Sequence, residues 1–257
     1  MRMNYKLIFV EGLPGTGKTT LSERIYKLLV SQGISAELIL ESNEKLPSNF
    51  WHIAGVPKCD FANFSVDEAV IKQTDGYFFV DMRKCTEDSA KALQIYDIGD
   101  EFNKCISSQE YACRTLEWWH SWAADITTES VLVLDSAFMQ CPINEMIFRG
   151  SSDEEIVSYI QAIAEIIMPL NPVCIYLRRE NAKIAIDFAK EAKGEHWTKG
   201  VEDLLAQLGY SDLFERRFSL EQSLLSLVPS IVCNIKGNDW SDADAKIREL
   251  IISQELT

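Results

Sequence analysis

Gly12, Gly15, Gly17, Lys18 and Thr19 lie close together in Gly12-Leu13-Pro14-Gly15-Thr16-Gly17-Lys18-Thr19, which fits the spacing G-x-x-x-x-G-K-[ST]. Glycines at these positions let backbone N–H groups turn inward around a phosphate chain, where a Cβ would obstruct the approach or the required dihedrals. Lys18 has the reach to meet β- and γ-phosphates, and the Thr19 hydroxyl is a ligand type suited to Mg²⁺. Pro14, Thr16 and Thr20 complete the candidate nucleotide-binding set. The order G-x-x-G-x-G departs from the dinucleotide fingerprint G-x-G-x-x-G. ATP with Mg²⁺ is the expected cofactor pair.

Such a loop needs a strand before it and a helix after it, so that the helix N-terminus points at the anion. Tyr5 to Val10 reads as a short buried strand. Gly17 to Val30 reads as a helix with Leu21, Ile25, Leu28 and Leu29 on one face, ended by Gly33. Ile34 to Glu41 reads as the next strand, which opens a βαβ unit and a parallel sheet. Residues 42–130 lack long strand patterns and are interrupted by Pro47 and Pro57. Helices are expected there over about Val66–Gln73, Glu87–Tyr96 and Ser107–Asp125, as an insertion beside the sheet. Val131–Ser136, Val173–Arg179 and Ser230–Ile235 are further strands. Helices are expected over Glu154–Met168, Leu213–Leu227 and Ser241–Ser253, with a charged helical segment after Arg179. The expected fold is one α/β domain over residues 1–257, a P-loop NTPase three-layer sandwich with about five parallel strands. Its ligands should bind beyond the carboxyl ends of those strands.

The composition agrees with that fold. The 257 residues are 47% hydrophobic and 25% charged, with a formal net charge of -14. That field repels nucleic-acid polymers and anionic membranes, while leaving room for a local cationic pocket. Seven cysteines without a CxxC pair suggest reduced thiols in a cytoplasmic protein. The apolar run in MRMNYKLIFVEG is short for a signal peptide, and no stretch approaches about 20 apolar residues.

Asp135 ends the apolar run VLVLD, the pattern of a strand whose carboxylate holds Mg²⁺ directly or through water. Its plainer alternative is an exposed strand end. Arg178 and Arg179 follow VCIYL, and cations beside a transferring phosphoryl group spread its charge. Lys183, Lys190 and Lys193 come next and read equally as a solvated helix face. Trp118, Trp119 and Trp122 crowd one stretch, with Glu110, Tyr111 and Arg114 just before it. One face of that helix is core, and the other is a candidate stacking wall for a flat ring.

VEGLPGTGKTT and the order of elements resemble the P-loop kinases of small molecules, especially nucleoside and nucleotide kinases of the thymidylate-kinase-like type. The resemblance implies that the insertion, about residues 42–130, holds the phosphate acceptor. It also implies that a mobile lid, about residues 179–200, brings basic residues over the phosphate. It makes Glu41, at the end of LILE, the residue that takes the acceptor's hydroxyl proton. Members of that family carry Asp-Arg or Glu-Arg where this chain has Asp135-Ser136; either Arg149 replaces that arginine or the acceptor differs from a nucleotide.

The expected activity is transfer of the ATP γ-phosphate to a small-molecule acceptor such as a nucleoside or nucleotide. Lys18, Glu41, Asp135, Arg178 and Arg179 would be catalytic, and Thr19 and Asp135 would hold the metal. The alternative is a P-loop ATPase acting as a regulatory switch for a protein partner. A GTPase is disfavoured because no N-K-x-D motif is present. A homodimer is compatible with the sequence.

Overall fold

A computed structural model describes residues 5–252 apart from 101–102, 104, 128 and 210–211. The end of the last expected helix, Ser253, lies outside the described residues. In chain order the elements are β1 (Leu7–Glu11), α1 (Lys18–Ser31), β2 (Ala36–Ile39), β3 (Ile53–Pro57), α2 (Lys58–Phe61), β4 (Val70–Gln73), β5 (Tyr77–Asp81), α3 (Glu87–Leu93), α4 (Ser108–Asp125), β6 (Val131–Asp135), α5 (Gln140–Phe148), α6 (Asp153–Ile167), β7 (Pro172–Arg178), α7 (Ala182–Leu208), α8 (Leu213–Leu224), β8 (Ser230–Asn234) and α9 (Ser241–Ile252).

Five strands form a parallel sheet in the order β2-β6-β1-β7-β8. Side chains alternate across it with the period of two that strands impose. Leu7 and Phe9 of β1 enter one buried cluster with Ile143 of α5, Ile160 of α6 and Leu220 of α8. Ile8 and Val10 enter the opposite cluster with Leu21 and Ile25 of α1 and Ile247 of α9. Helices therefore cover both faces, and the sheet is the middle layer. Because both faces are buried at its centre, the inner strands β6, β1 and β7 read as continuous apolar runs. Helices α4 and α6 each begin at a capping box, Ser107 with Glu110 and Ser152 with Glu155, which satisfies orphan N–H groups at their first turns.

The segment between β2 and β6 is not purely helical. Strands β3, β5 and β4 form a three-stranded antiparallel sheet there. The expected helix over Val66–Gln73 reduces to a 3₁₀ turn, Asp67–Ala69, followed by β4. Val66, Ala69 and Val70 have helical spacing, but pairing with β5 across the Asp75-Gly76 turn overrides it. The other expected helices of this segment form, as α3 and α4. Among the described residues no helix is long and apolar enough to cross a membrane.

Candidate functional site

Strand β1 delivers the glycine loop at the carboxyl edge of the sheet. Gly12, Gly15 and Gly17 all have positive φ, at 139°, 78° and 93°. Gly15 has a second reason to lack a side chain. A Cβ there would overlap the backbone of Ala185 and Ala189, because α7 lies directly against the loop. The Thr16 amide and hydroxyl both donate to the Leu13 carbonyl, at 3.3 and 2.8 Å, which closes the turn. Lys18 opens α1, is buried, and donates from Nζ to the same carbonyl at 3.2 Å. Pro14, Gly15, Gly17 and Thr20 line the pocket above with Lys18 and Thr19.

Thr19 Oγ1 donates to Asp135 Oδ2 at 2.6 Å, so the two residues expected to share a metal touch across the β1–β6 junction. Ser136 donates from its hydroxyl to Asp135 Oδ1 at 2.9 Å, and its amide donates to the Val10 carbonyl at 3.0 Å. Ser136 takes a positive φ of 66° to do this. A short polar residue therefore stands where the resembling kinases carry arginine, and it fixes the carboxylate of Asp135. Among the described residues no group of three or more His, Cys, Asp or Glu side chains could enclose a metal. One hydroxyl and one carboxylate fit Mg²⁺, which keeps waters and is held by few protein oxygens together with substrate phosphates.

Beneath the loop lies a buried ionic network that sequence reasoning missed. Arg217 of α8 donates from Nη2 to the Gly12 carbonyl at 3.1 Å and to Gln140 Oε1 at 3.0 Å. Its Nη1 meets Asn144 Oδ1 at 3.2 Å, and its Nε meets Glu221 Oε1 at 2.6 Å. Tyr176 of β7 donates to the other Glu221 oxygen at 2.7 Å. Glu11, fully buried, accepts from the amides of Phe138 and Gln140 at 2.6 and 3.1 Å, at the N-terminus of α5. Burial pushes the Glu11 carboxyl up to about 7, against the lowering effect of those amides. Burial also pulls the Lys18 ammonium down, and the neighbouring charge of Arg217 adds to the effect. The only sequence sign of this network was Arg217 and Glu221 at the i, i+4 spacing of an ion pair.

Glu41 lies two residues beyond the end of β2, and β6 separates β2 from β1 in the sheet, so the two strands are not neighbours. The side chain nevertheless reaches the loop. It accepts from Gln140 Nε2 at 2.7 Å and lines a pocket of about 420 Å³ together with Lys18, Thr19 and Arg217. Arg178 and Arg179 face elsewhere. Arg178 holds Asn234 Oδ1 through Nε and Nη2 at 3.0 and 2.8 Å. Arg179 donates to the carbonyls of Gly15 and Gly237 at 3.1 and 2.9 Å and lies 3.6 Å from the Phe188 ring centroid. Both line a larger neighbouring cavity of about 1040 Å³ rather than the Lys18 pocket. Strand β7 ends there beside β8, which carries both arginines to the far side of the loop.

The expected lid is α7, broken at Gly194 with φ 79° and ψ -175°. Lys193 and Trp197, flanking the break, line the Lys18 pocket. Lys183 and Lys190 instead pair with Asp187 and Glu202, at 2.7 and 3.0 Å. The tryptophans of α4 do not form an acceptor wall. Trp119 is fully buried and Trp118 packs edge-on against Phe50 and Phe79. Arg149 does not replace the missing arginine. Its guanidinium donates to the carbonyls of Ile98 and Asp100, at 3.1 Å each, and lies 4.6 Å from the Tyr111 ring centroid. All seven cysteines are free thiols.

No protein-family model matches the sequence, and no curated protein matches it either. The fold and site therefore define an α/β protein with a parallel five-stranded sheet and a glycine loop at its carboxyl edge. Any narrower reading rests on the site's own geometry.

Proposed function

We propose that this chain is a P-loop kinase that moves the γ-phosphate of ATP, with Mg²⁺, onto a small-molecule hydroxyl. One observation carries the reading. Glu41 lines the same pocket as Lys18 and Thr19, while Thr19 touches Asp135. A cradle for phosphate, the Thr19 hydroxyl backed by the Asp135 carboxylate, and a carboxylate for the acceptor are thus gathered at one pocket.

In this reading the loop amides and Lys18 hold the β- and γ-phosphates. Thr19 and Asp135 hold Mg²⁺, which would neutralise charge on the phosphate oxygens. Glu41 orients the acceptor hydroxyl and takes its proton as the oxygen bonds to the γ-phosphorus. The bond from that phosphorus to the β,γ-bridging oxygen breaks, and ADP leaves. Lys193, beside the break in α7, is the cation that the lid supplies, in place of Arg178. Arg179 steadies the loop through the Gly15 carbonyl. The cavity lined by Arg178, Arg179 and Lys236 takes the nucleoside end of ATP.

A regulatory ATPase would need no pocket on the acceptor side of the loop. Here the inserted segment turns Asn49, Phe50 and Trp51 toward a hollow that Glu41 also lines, which favours the kinase. The test is ATP consumption, and appearance of a phosphorylated product, across a panel of small hydroxylated and phosphorylated metabolites. ATP hydrolysis that no acceptor stimulates would favour the switch.

A further inference from the structure

A second hollow of about 280 Å³ adjoins the Lys18 pocket, and the two share Glu41, Asn144 and Phe148. Its volume falls just below the range typical of ligand sites, roughly 300–1,000 Å³. The space suits a compact molecule. Its walls come from the inserted segment, with Ser48, Asn49, Phe50 and Trp51, and from α5, with Cys141, Asn144 and Glu145.

The charges on these walls have one sign. Among the described residues lining the hollow there are two carboxylates, Glu41 and Glu145, and no lysine or arginine. The nearby arginine of α5's C-cap, Arg149, is committed to backbone carbonyls and to Glu145 at 3.5 Å. Glu145 has its counter-charge in Arg149, but a phosphomonoester placed here would still bring about two negative charges beside Glu41, with no lysine or arginine among the residues lining the hollow.

Two further features are unexplained by folding. Ser48 is buried, lines the hollow, and its hydroxyl has no hydrogen-bond partner among the described residues. An orphan buried hydroxyl costs about 1–3 kcal/mol unless a partner arrives. Trp51 is 67% exposed at the same hollow. An exposed indole there offers an apolar face to a flat ring.

We infer that this hollow is the acceptor site and that the acceptor is an unphosphorylated, ring-bearing alcohol, neutral or cationic. The inference rests on the kinase reading above. Ser48 and Asn144 hold the acceptor's polar groups, Trp51 and Phe148 hold its ring, and Glu41 meets the hydroxyl that receives the γ-phosphoryl group. The products are ADP and the acceptor's phosphomonoester, with the hydroxyl proton on Glu41.

The deciding experiment supplies full-length protein with Mg²⁺ and γ-labelled ATP. It compares matched pairs of ring alcohols and their phosphomonoesters, such as nucleosides against nucleoside 5′-monophosphates and aminocyclitols against aminocyclitol phosphates. Label should move to the unphosphorylated member, with its phosphate ester at least a hundredfold poorer in kcat/KM. Ser48→Ala should raise the acceptor KM about tenfold, the scale of one hydrogen bond, without lowering the melting temperature. Trp51→Ala should also raise the acceptor KM and leave the KM for ATP in place. Transfer to the phosphomonoester would overturn the acceptor class while the kinase reading stood. ATP turnover with no transfer to either member would overturn both. An unchanged acceptor KM in both variants would remove this hollow as the site.

Discussion

Lys18 and Arg217 put two cations in one buried pocket, and each makes the other costlier. Burial lowers the Lys18 pKa and Arg217 lowers it further, against the opposite pull of Asp135, Glu41 and Glu221, and an added anion beside the ammonium would offset that cost. A polyphosphate is such an anion. ATP or inorganic triphosphate with Mg²⁺ should therefore raise the melting temperature, by the mass-action relation for a ligand that binds only the folded state. Lys18→Ala should abolish most of that increase and cut phosphoryl transfer by about two to three orders of magnitude, the scale for losing one preorganised charge partner. A folded variant with wild-type turnover would remove the loop as the catalytic site. Glu11 makes a separate prediction on pH. Its carboxyl rises from an ordinary 4.5 to about 7 in the fold. A raised carboxyl holds its proton in the folded state after the unfolded chain has lost it. Its contribution to stability is thus fullest below 4.5, declines as pH rises to about 7, and is level above that. Glu11→Gln removes this titration. It also turns an NH₂ group toward one of two backbone amides, so the variant is less stable at low pH. The difference in denaturant midpoint should then move in the variant's favour between pH 5 and pH 8. A constant difference would show that Glu11 does not titrate in this window.

Elements show what sequence pattern resolves and what it does not. Strands β1, β6 and β7 were legible because each is buried on both faces and so is apolar without interruption. Helix α6 was legible because Ile156, Ile160, Ile163 and Ile167 fall on one face, whereas the capping boxes that start α4 and α6, at Ser107 and Ser152, went unread. The segment Val66–Gln73 misled because its spacing fits a helix, while Asp75-Gly76, a strong hairpin signal, went unread. The P-loop was legible because it is contiguous. Arg217, Gln140 and Asn144 were not, because they come from α5 and α8 and converge only through the sheet order. Arg178 and Arg179 were placed at the correct strand end, but which side of the loop that end faces depends on β8. Helix α7 carries its own prediction. It presses the Ala185 and Ala189 backbone onto Gly15, which has φ 78°. Gly15→Ala should displace α7 or distort the loop. ATP affinity should then fall at least tenfold, measured by titration, with the circular-dichroism spectrum retained. Gly200→Ala, on the same helix with open space around it and no positive φ, should leave ATP affinity close to wild type. Equal losses in both variants would mean that the contact between α7 and the loop is not what matters.

Across the whole molecule the net charge of -14 contrasts with the cations gathered under the loop, and a continuous chain of hydrogen bonds joins the two halves of the proposed reaction. Arg217 ties the Gly12 carbonyl to Gln140 Oε1, and Gln140 Nε2 ties on to Glu41. The donor loop and the acceptor carboxylate are therefore fixed relative to each other through one amide side chain. If Gln140 acts by orienting Glu41, removing it should cost rate without costing ATP binding, because a misplaced base alters the transition state more than the ground state. Gln140→Met keeps the volume and leaves Arg217 paired with Glu221, so the buried arginine is not stranded. We expect kcat to fall about tenfold to a hundredfold, the range that follows small misplacement of a reacting group. Glu41→Gln alone should fall further, by about two to four orders of magnitude, as for loss of a general base. The double variant is decisive. Once Glu41 no longer accepts the proton, its orientation has no value, so the double variant should be no slower than Glu41→Gln. Steady-state kcat and KM for the four proteins, with ATP saturating, measure this. Losses that multiply would mean that Gln140 serves the nucleotide or the loop independently of Glu41, and the bridge would carry no part of the catalytic geometry.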